Sequence, residues 1–196
     1  MGTFILKNFP MARISGEVGD KVQEQLLSNF IFFEEEIVRE NYYFGFKQIT
    51  ETAVKALSPG INDPGTAIKA IDYITDLLSL KLNLREKRFI YHDEKPVVLL
   101  CNPSNESLIY FCYAPIREYG KSDIVVIIKL FNSLRQILLS TESEKIEKLI
   151  LSEVEILIED SDKYLNNTSD RKKINELIEE IDQISNKENR LKKIST

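Results

Sequence analysis

The chain has 196 residues, of which 43% are hydrophobic and 29% charged, and its formal net charge is −5. These values are typical of a soluble globular protein with one domain, or one domain and an appendage. A nucleic-acid partner is not expected, because phosphate binding requires clustered Lys and Arg, and the longest apolar run is too short to span a bilayer.

The first third of the sequence predicts strands followed by two helices. In residues 2–14 hydrophobic and polar residues alternate, which predicts a pair of short strands. Apolar residues then recur every three or four positions, which predicts one helix from Val18 to about Arg39 and another from about Asn41 to Leu57. Gly45 lies inside the second helix, where a glycine indicates close approach of another segment.

The middle of the sequence alternates between helix and strand patterns. A third helix is predicted over residues 64–82. In residues 87–100 the apolar residues no longer follow the helical spacing, which predicts a β-hairpin. The next helix is predicted over residues 106–120. Pro115 lacks an amide hydrogen and is expected to kink or interrupt that helix, and Gly120 fits its C-terminal end, where a positive φ costs little.

The last third is helical. A helix capped by Ser122 is predicted over residues 123–140, and two long, charged helices follow. The sequence thus predicts one domain over residues 1–140 and a C-terminal helical pair, 141–196, that either packs on it or serves in oligomerisation. The expected fold class is mainly α with a small β component (α+β), with a short N-terminal strand pair and one hairpin.

The connection "SPGINDPG" between the second and third helices has the most unusual composition in the chain. Pro59 stops the incoming helix, and Gly60 supplies a backbone conformation closed to most residues. Asp63 is placed to cap the third helix and Pro64 to open it. Asn62 has no such role, and it either satisfies backbone carbonyls or faces a pocket. We therefore expect a helical hub built around a helix–turn–helix corner.

This corner and its flanks resemble the signature of a family of predicted bacterial membrane proteins of unknown function, domain-of-unknown-function family twenty-two fifty-four. The matching positions are Gly2, Phe4, Pro10–Ala12, Phe44–Gly45, Lys47–Gln48, Ala56–Pro64, Thr66–Ala67 and Ile116–Gly120. The similarity spans roughly residues 2–140, although Lys47 stands where the family usually has arginine. Family members usually begin with several transmembrane helices, so the resemblance implies the cytoplasmic part of a protein anchored through segments absent from this chain.

The resemblance and the local pattern together select positions to examine. The candidate ligand-binding residues are Asn62, Asp63, Arg117, Lys47 and Gln48, and the structural motif residues are Gly45, Pro59, Gly60, Pro64, Tyr119 and Gly120. Arg117 is expected near the core, where it either pairs with a carboxylate, Asp63 or Asp72, or binds an anion. Asp72 and Asp76 have the spacing of a cation site, but no third ligand can be assigned, so no metal is expected.

No catalytic set emerges from the sequence. The single histidine, His92, has no nucleophile motif around it, and no nucleotide or cofactor motif is present. We expect a non-enzymatic module at the inner face of the bacterial membrane, acting in homo-oligomerisation or in regulation by an unidentified small molecule. The alternatives are an enzyme with a pocket at Asn62, Asp63 and Arg117, and a purely structural extension of a transporter or channel.

Overall fold

The computed structural model describes residues 6–8, 10, 17–30, 35–85, 88–92, 94–100, 103–185 and 190–195. It divides into two compact units, residues 1–45 and residues 46–196. Most of the predicted N-terminal strand pair, residues 2–14, lies outside the described residues.

The described part of the chain is mainly helical, as predicted. Its elements are α1 (Asp20–Leu27), α2 (Tyr42–Leu57), α3 (Pro64–Leu82), β1 (Arg88–His92), β2 (Lys95–Leu100), α4 (Asn105–Gly120), α5 (Ile124–Leu139), α6 (Glu144–Tyr164) and α7 (Thr168–Ile184). Strands β1 and β2 pair antiparallel, with Phe89 opposite Leu99, in the segment whose change of period predicts a hairpin. The register is irregular between Ile90 and Tyr91.

Helix α1 is shorter than predicted, because it ends at Leu27 and not near Arg39. Two side chains close its last turn: the Ser28 hydroxyl and the Asn29 amide both donate to the Gln25 carbonyl, at 2.8 and 2.6 Å. Such local bonds compete with helix continuation. None of the residues of α1 is buried. The apolar residues that recur along this helix therefore do not form a packed face within the smaller unit.

Helix α5 is the centre of the larger unit. Its sequence is apolar on almost every side, which is typical of a buried helix. It packs against α3, α4, α6 and α7. The largest fully buried side chains of α5 are Ile127, Leu130, Phe131, Leu134 and Ile137. Because α6 and α7 both pack on α5, the C-terminal pair is joined to the hub, and the division of the chain at residue 140 stays a prediction.

Three buried hydroxyl groups connect α3, α4 and α5. The Tyr113 hydroxyl lies 2.5 Å from Ser133 Oγ, which lies 2.5 Å from Thr75 Oγ1, and Thr75 donates to the Ile71 carbonyl at 2.7 Å. Burial raises the pKa of Tyr113, so its phenol keeps the proton that it donates to Ser133. Each hydroxyl can then donate once along the series, which satisfies these polar groups inside the core.

Helix α4 runs from Asn105 to Gly120 through Pro115, so the predicted interruption is wrong, and the alternative, a kink at Pro115, stays a prediction. A proline inside a helix removes one backbone hydrogen bond. Here residues on both sides of it, Cys112, Tyr113 and Ile116, are buried. Packing of these side chains therefore holds the helix together across the missing bond.

Candidate functional site

The corner between α2 and α3 is held by backbone hydrogen bonds. The amides of Ile61 and Asn62 both donate to the Ser58 carbonyl, each at 2.9 Å. The amide of Asp63 reaches back to the Ala56 carbonyl at 2.8 Å, inside the last turn of α2. Carbonyls that the end of α2 would otherwise leave unpaired are satisfied in this way.

The unusual backbone conformation in the corner belongs to Asn62 and not, as expected, to Gly60. Asn62 has a φ of 49°, in the left-handed region. The φ of Gly60 lies outside that region, and a Cβ added to it would have nothing within 4 Å. Asparagine is one of the few residues other than glycine that enters the left-handed region routinely. Asn62, which the sequence left without a structural role, therefore has one.

Replacement of Asn62 separates the backbone role from a side-chain role. We expect Asn62→Gly to leave the free energy of unfolding unchanged or slightly higher, and Asn62→Val to lower it by about 1–2 kcal/mol because a β-branched residue resists positive φ. Urea unfolding followed by circular dichroism measures both. Ile61→Val, at the neighbouring exposed position, is the matched control. Equal losses for Gly and Val would show that the amide side chain is what matters.

Asp63 caps α3, and Pro64 occupies the first helical position, as predicted. The carboxylate accepts the Thr66 amide at 3.1 Å and the Thr66 hydroxyl at 2.5 Å. The Thr66 hydroxyl, followed by the Thr66 and Gly65 amides, holds the pKa of Asp63 below its ordinary value. Both carboxylate oxygens are therefore engaged by the helix that they cap.

Arg117 lies between α4 and α6, and its predicted pairing with Asp63 or Asp72 is wrong. Its Nη1 donates to Asp160 Oδ2 at 2.7 Å, and its Nε lies 3.3 Å from Glu153 Oε1. Asp72 instead pairs with Lys129 of α5. The sequence could not show this, because the partner depends on which helix lies beside α4.

The group formed by Arg117, Glu153 and Asp160 has two carboxylates for one guanidinium. Glu153 is only 5% exposed, and burial raises its pKa even though Arg117 acts in the opposite direction. Arg117 Nε and Glu153 Oε1 are at ion-pair distance but not aligned for a hydrogen bond, so neither atom has a hydrogen-bond partner. The geometry is that of a buried link between two helices.

The remaining candidate ligand-binding residues lie on the outside of α2. Lys47 Nζ is 3.8 Å from Glu51 Oε1, one turn further along the helix, and Gln48 is exposed. Among the described residues, no hydrogen bond or ion pair joins Arg117 to Asn62 or Asp63. A ligand-binding role for these positions stays a prediction.

Two of the three motif glycines, Gly45 and Gly120, serve close packing. A Cβ on Gly45 would lie 3.2 Å from Val38 Cγ1, which agrees with the predicted close approach. A Cβ on Gly120 would lie 2.5 Å from Val126 Cγ1. The positive φ expected at Gly120 is not present, so what requires glycine there is the start of α5. The predicted cap Ser122 is also replaced: Asp123 accepts the Val125 and Val126 amides.

Two residues of the structural motif are exposed. Tyr119 is half exposed, and Pro59 lies on the surface of the corner, just after α2 ends at Leu57. Burial raises the pKa of the Cys112 thiol to about 12, so it stays protonated at neutral pH and is no nucleophile. No group of three metal-ligating side chains occurs in the part of the chain that the structure describes.

A shallow cleft of about 310 Å³ lies between α2 and α3. Its lining consists of Ile49, Thr52, Thr66, Lys69, Ala70 and Tyr73. Lys69 Nζ sits 5.2 Å from the centre of the Tyr73 ring. None of the predicted ligand-binding residues lines this cleft, and no pattern in the sequence pointed to it.

A family model described as "Predicted membrane protein (DUF2254)" matches residues 1–136. The chain belongs to this family. The resemblance carried by the corner motif is thereby confirmed. Uncharacterized proteins of Mycobacterium bovis and of two Mycobacterium tuberculosis strains are 22% identical over 158 residues, which is 80% of this chain and 30% of theirs. The chain thus spans about 30% of the length of these curated relatives.

No solved structure matches the chain. Within the described residues, none of the helices combines the length and the apolar character needed to cross a membrane. The DUF2254 match covers the corner and Arg117, whereas Glu153 and Asp160 lie beyond it, in α6. The buried ion pair therefore joins the family-matched part of the chain to its C-terminal helices.

Proposed function

We propose that this chain is a non-enzymatic, cytoplasmic module of a bacterial membrane protein, and that it works by associating with a second copy. The roles of the motif residues support an architectural rather than a catalytic purpose. Asp63 is bound by the helix it caps, Asn62 provides a turn conformation, and Arg117 is paired inside the protein. A side chain whose polar atoms are used in this way is poorly placed to act on a substrate.

The observation that carries the proposal is the second apolar face of α3. Its inner face, with Ile71, Ile74 and Leu78, is buried in the core. On the opposite side are Tyr73, Leu77 and Leu80, which are 51%, 39% and 70% exposed, and the exposed Leu84 follows two residues after the helix ends at Leu82. We name these four residues the α3 outer stripe. The spacing of four and three residues between the three helical members is that of a seam between two packed helices.

The end of α3 lies beside the end of α5, where another apolar side chain is exposed. Asn83 Nδ2 donates to the Ser140 carbonyl at 3.0 Å, which brings the ends of α3 and α5 together. Leu139, next to Ser140, is also exposed. Single exposed leucines need no explanation, but a contiguous apolar surface is typical of a protein–protein contact. A second copy of the same stripe would provide a self-complementary partner.

Anchoring in the membrane is the part of the proposal that rests on the family. The family is described as a predicted membrane protein, and the curated relatives are much longer than this chain. We propose that transmembrane segments absent from this chain place the module at the inner face of the membrane. Regulation by a small molecule, the other role expected from the sequence, is best placed at the α2–α3 cleft. Tyr73 belongs both to this cleft and to the α3 outer stripe, so a ligand in the cleft would contact a residue of the proposed interface.

Light scattering after size exclusion tests the association. We expect the wild-type chain to form a dimer and the double variant Leu77→Glu/Leu80→Glu to be a monomer with unchanged helical circular dichroism, since burying unpaired carboxylates in an interface is unfavourable. Val125→Glu, which adds a charge at an exposed apolar position at the start of α5, should leave the dimer intact. A wild-type chain that stays monomeric at high micromolar concentration would contradict the proposal.

A further inference from the structure

The segment after α7 lies along that helix as an extended peptide. Residues 190–195, which we name the tail, have no helical or strand structure. Reading along the tail, the partners on α7 are Asp182 for Leu191, Glu179 for Lys193, Asn175 for Ile194 and Arg171 for Ser195. Partner numbers fall as tail numbers rise, so the tail runs antiparallel to α7. These partners, with Asp162 of α6, are named the tail groove.

The side chain of Asn175 binds the backbone of the tail. Its Oδ1 accepts the Ile194 amide at 2.9 Å, and its Nδ2 donates to the Ile194 carbonyl at 3.0 Å. Asp182 Oδ1 accepts the Leu191 amide at 2.9 Å. An amide side chain that pairs with both backbone groups of one residue recognises an extended chain whatever side chains it carries, as in other peptide grooves.

Two side chains of the tail are buried, and its other described side chains are exposed. Leu191 and Ile194 are 7% and 3% exposed, whereas Lys192 and Lys193 face solvent. Two apolar residues three positions apart thus anchor the segment. They supply what backbone hydrogen bonds cannot, a preference for one sequence over another.

The end of the tail is fixed by a charged pair on α6 and α7. Arg171 donates from Nε to the Ser195 carbonyl and from Nη2 to Ser195 Oγ, the latter at 2.8 Å. Asp162 Oδ1 accepts the Ser195 amide at 3.2 Å and its hydroxyl at 3.0 Å. Every polar group of Ser195 is therefore matched, which sets the register of the tail.

Charge is complementary across the contact. The tail carries three basic side chains, Arg190, Lys192 and Lys193, and the tail groove carries three acidic ones, Asp162, Glu179 and Asp182, beside Arg171. Lys193 pairs with Glu179, and Arg190 Nε lies 4.0 Å from Asp182 Oδ2. Attraction of this kind favours encounter and weakens with salt.

We propose that the tail groove is a peptide-binding site that accepts the tail as a separate segment, and that the partner it fits is the tail of a second copy. The contacts are the same whether the tail comes from the same chain or from another, so exchange conserves them. A chain whose own tail fills its groove, such as the Leu77→Glu/Leu80→Glu variant, stays a monomer, and exchange requires a groove from which that tail has been displaced. Exchange of an identical element between copies is a low-cost route to association. The tail groove and the α3 outer stripe lie on different helices, so this inference does not rest on the proposed function.

The first experiment asks whether the tail binds as a free peptide. A fluorescent peptide of residues 190–196 is titrated against a variant that ends at residue 189. We expect saturable binding that weakens at high salt and is about tenfold weaker with Asn175→Asp, which keeps the acceptor and loses the donor. Lys172→Ala, an exposed neighbour on α7, is the matched control and should not change it. The full chain should bind the peptide more weakly, because its own tail occupies the groove.

The outcomes of the titration are decisive for the site. Absence of binding to a folded, shortened chain overturns the proposal, and equal binding to shortened and full chains places the peptide elsewhere and overturns it too. If the shortened chain loses its helical circular dichroism, the full chain with Ile194→Asp takes its place, since that change dislodges the tail alone. Unfolding of both shows that the tail is an obligatory part of the core, which also contradicts the proposal.

The second experiment asks whether the partner is another copy. Two variants are mixed in the Leu77→Glu/Leu80→Glu background, which removes the α3 outer stripe: one has Ile194→Asp and an intact groove, the other Asn175→Leu and an intact tail. Light scattering should show a dimer in the mixture and monomers in either variant alone. A mixture that stays monomeric, although the free peptide binds, overturns the assignment of the second copy as partner.

Discussion

Replacing Arg117 by methionine is expected to lower the free energy of unfolding by about 3–5 kcal/mol at neutral pH, the usual cost of removing one partner from a buried ion pair. The Arg117 side chain is 13% exposed, and its guanidinium supplies the positive charge for both Glu153 and Asp160. Methionine fills a similar volume but leaves two carboxylates without a cation. Because the pair joins α4 to α6, both helices should lose stability together in one cooperative transition.

The change Glu153→Gln is the matched control for Arg117→Met. Burial raises the pKa of Glu153 above its ordinary value of 4.5, which means that the folded protein disfavours the carboxylate. A glutamine has the same shape without the charge, and Arg117 keeps Asp160. We therefore expect Glu153→Gln to be neutral or stabilising at pH 7, in contrast to Arg117→Met.

The pH dependence has a definite sign. Since the pKa of Glu153 is raised in the folded state, its contribution to stability is fully present below the ordinary value of 4.5 and is lost as pH rises through the raised value. Relative to Glu153→Gln, the wild type should gain stability as pH falls from 7 toward about 4.5. Urea unfolding at several pH values measures this. A large loss for Glu153→Gln at pH 7 would show that the carboxylate is a net stabilising partner of Arg117.

Features whose causes are local in the sequence were predicted well. The start of α3 follows from Asp63 and Pro64, which act on amides within three residues, and the predicted bounds of that helix are those observed. The same local reasoning failed within the corner, where both Gly60 and Asn62 accept a positive φ. Which of the two adopts it depends on the amides that bond the Ser58 carbonyl.

Features that depend on which helices lie side by side were not predicted. Nothing in the sequence around Arg117 shows that Glu153 and Asp160, on α6, are its partners. The tail groove was missed for the same reason: in the sequence the helical spacing of apolar residues in α7 continues to Leu191, whereas the helix ends at Ile184. From the sequence alone, a polar residue at helical spacing, such as Asn175, is interpreted as exposed to solvent, because the sequence does not show that the chain beyond the helix runs back along it.

Gly120→Ala is expected to lower the free energy of unfolding by about 1–3 kcal/mol, the range typical of overpacking a filled core. The added Cβ would lie 2.5 Å from Val126 Cγ1 and 3.2 Å from Val126 Cβ, and Val126 is fully buried at the start of α5. Gly60→Ala is the control, because nothing lies within 4 Å of a Cβ there. It should stay within about 0.5 kcal/mol of the wild type.

A double-mutant cycle with Val126→Ala separates steric conflict from backbone effects. Val126→Ala alone removes buried methyl groups and should be destabilising. In that background the Cγ1 that Gly120→Ala would meet is gone, and alanine is favoured over glycine within a helix by about 1 kcal/mol. Gly120→Ala should then be nearly neutral or stabilising, with a coupling energy of about 1 kcal/mol or more. Additive losses would mean instead that Gly120 is required by its backbone, and that the close approach of α4 and α5 relaxes at little cost.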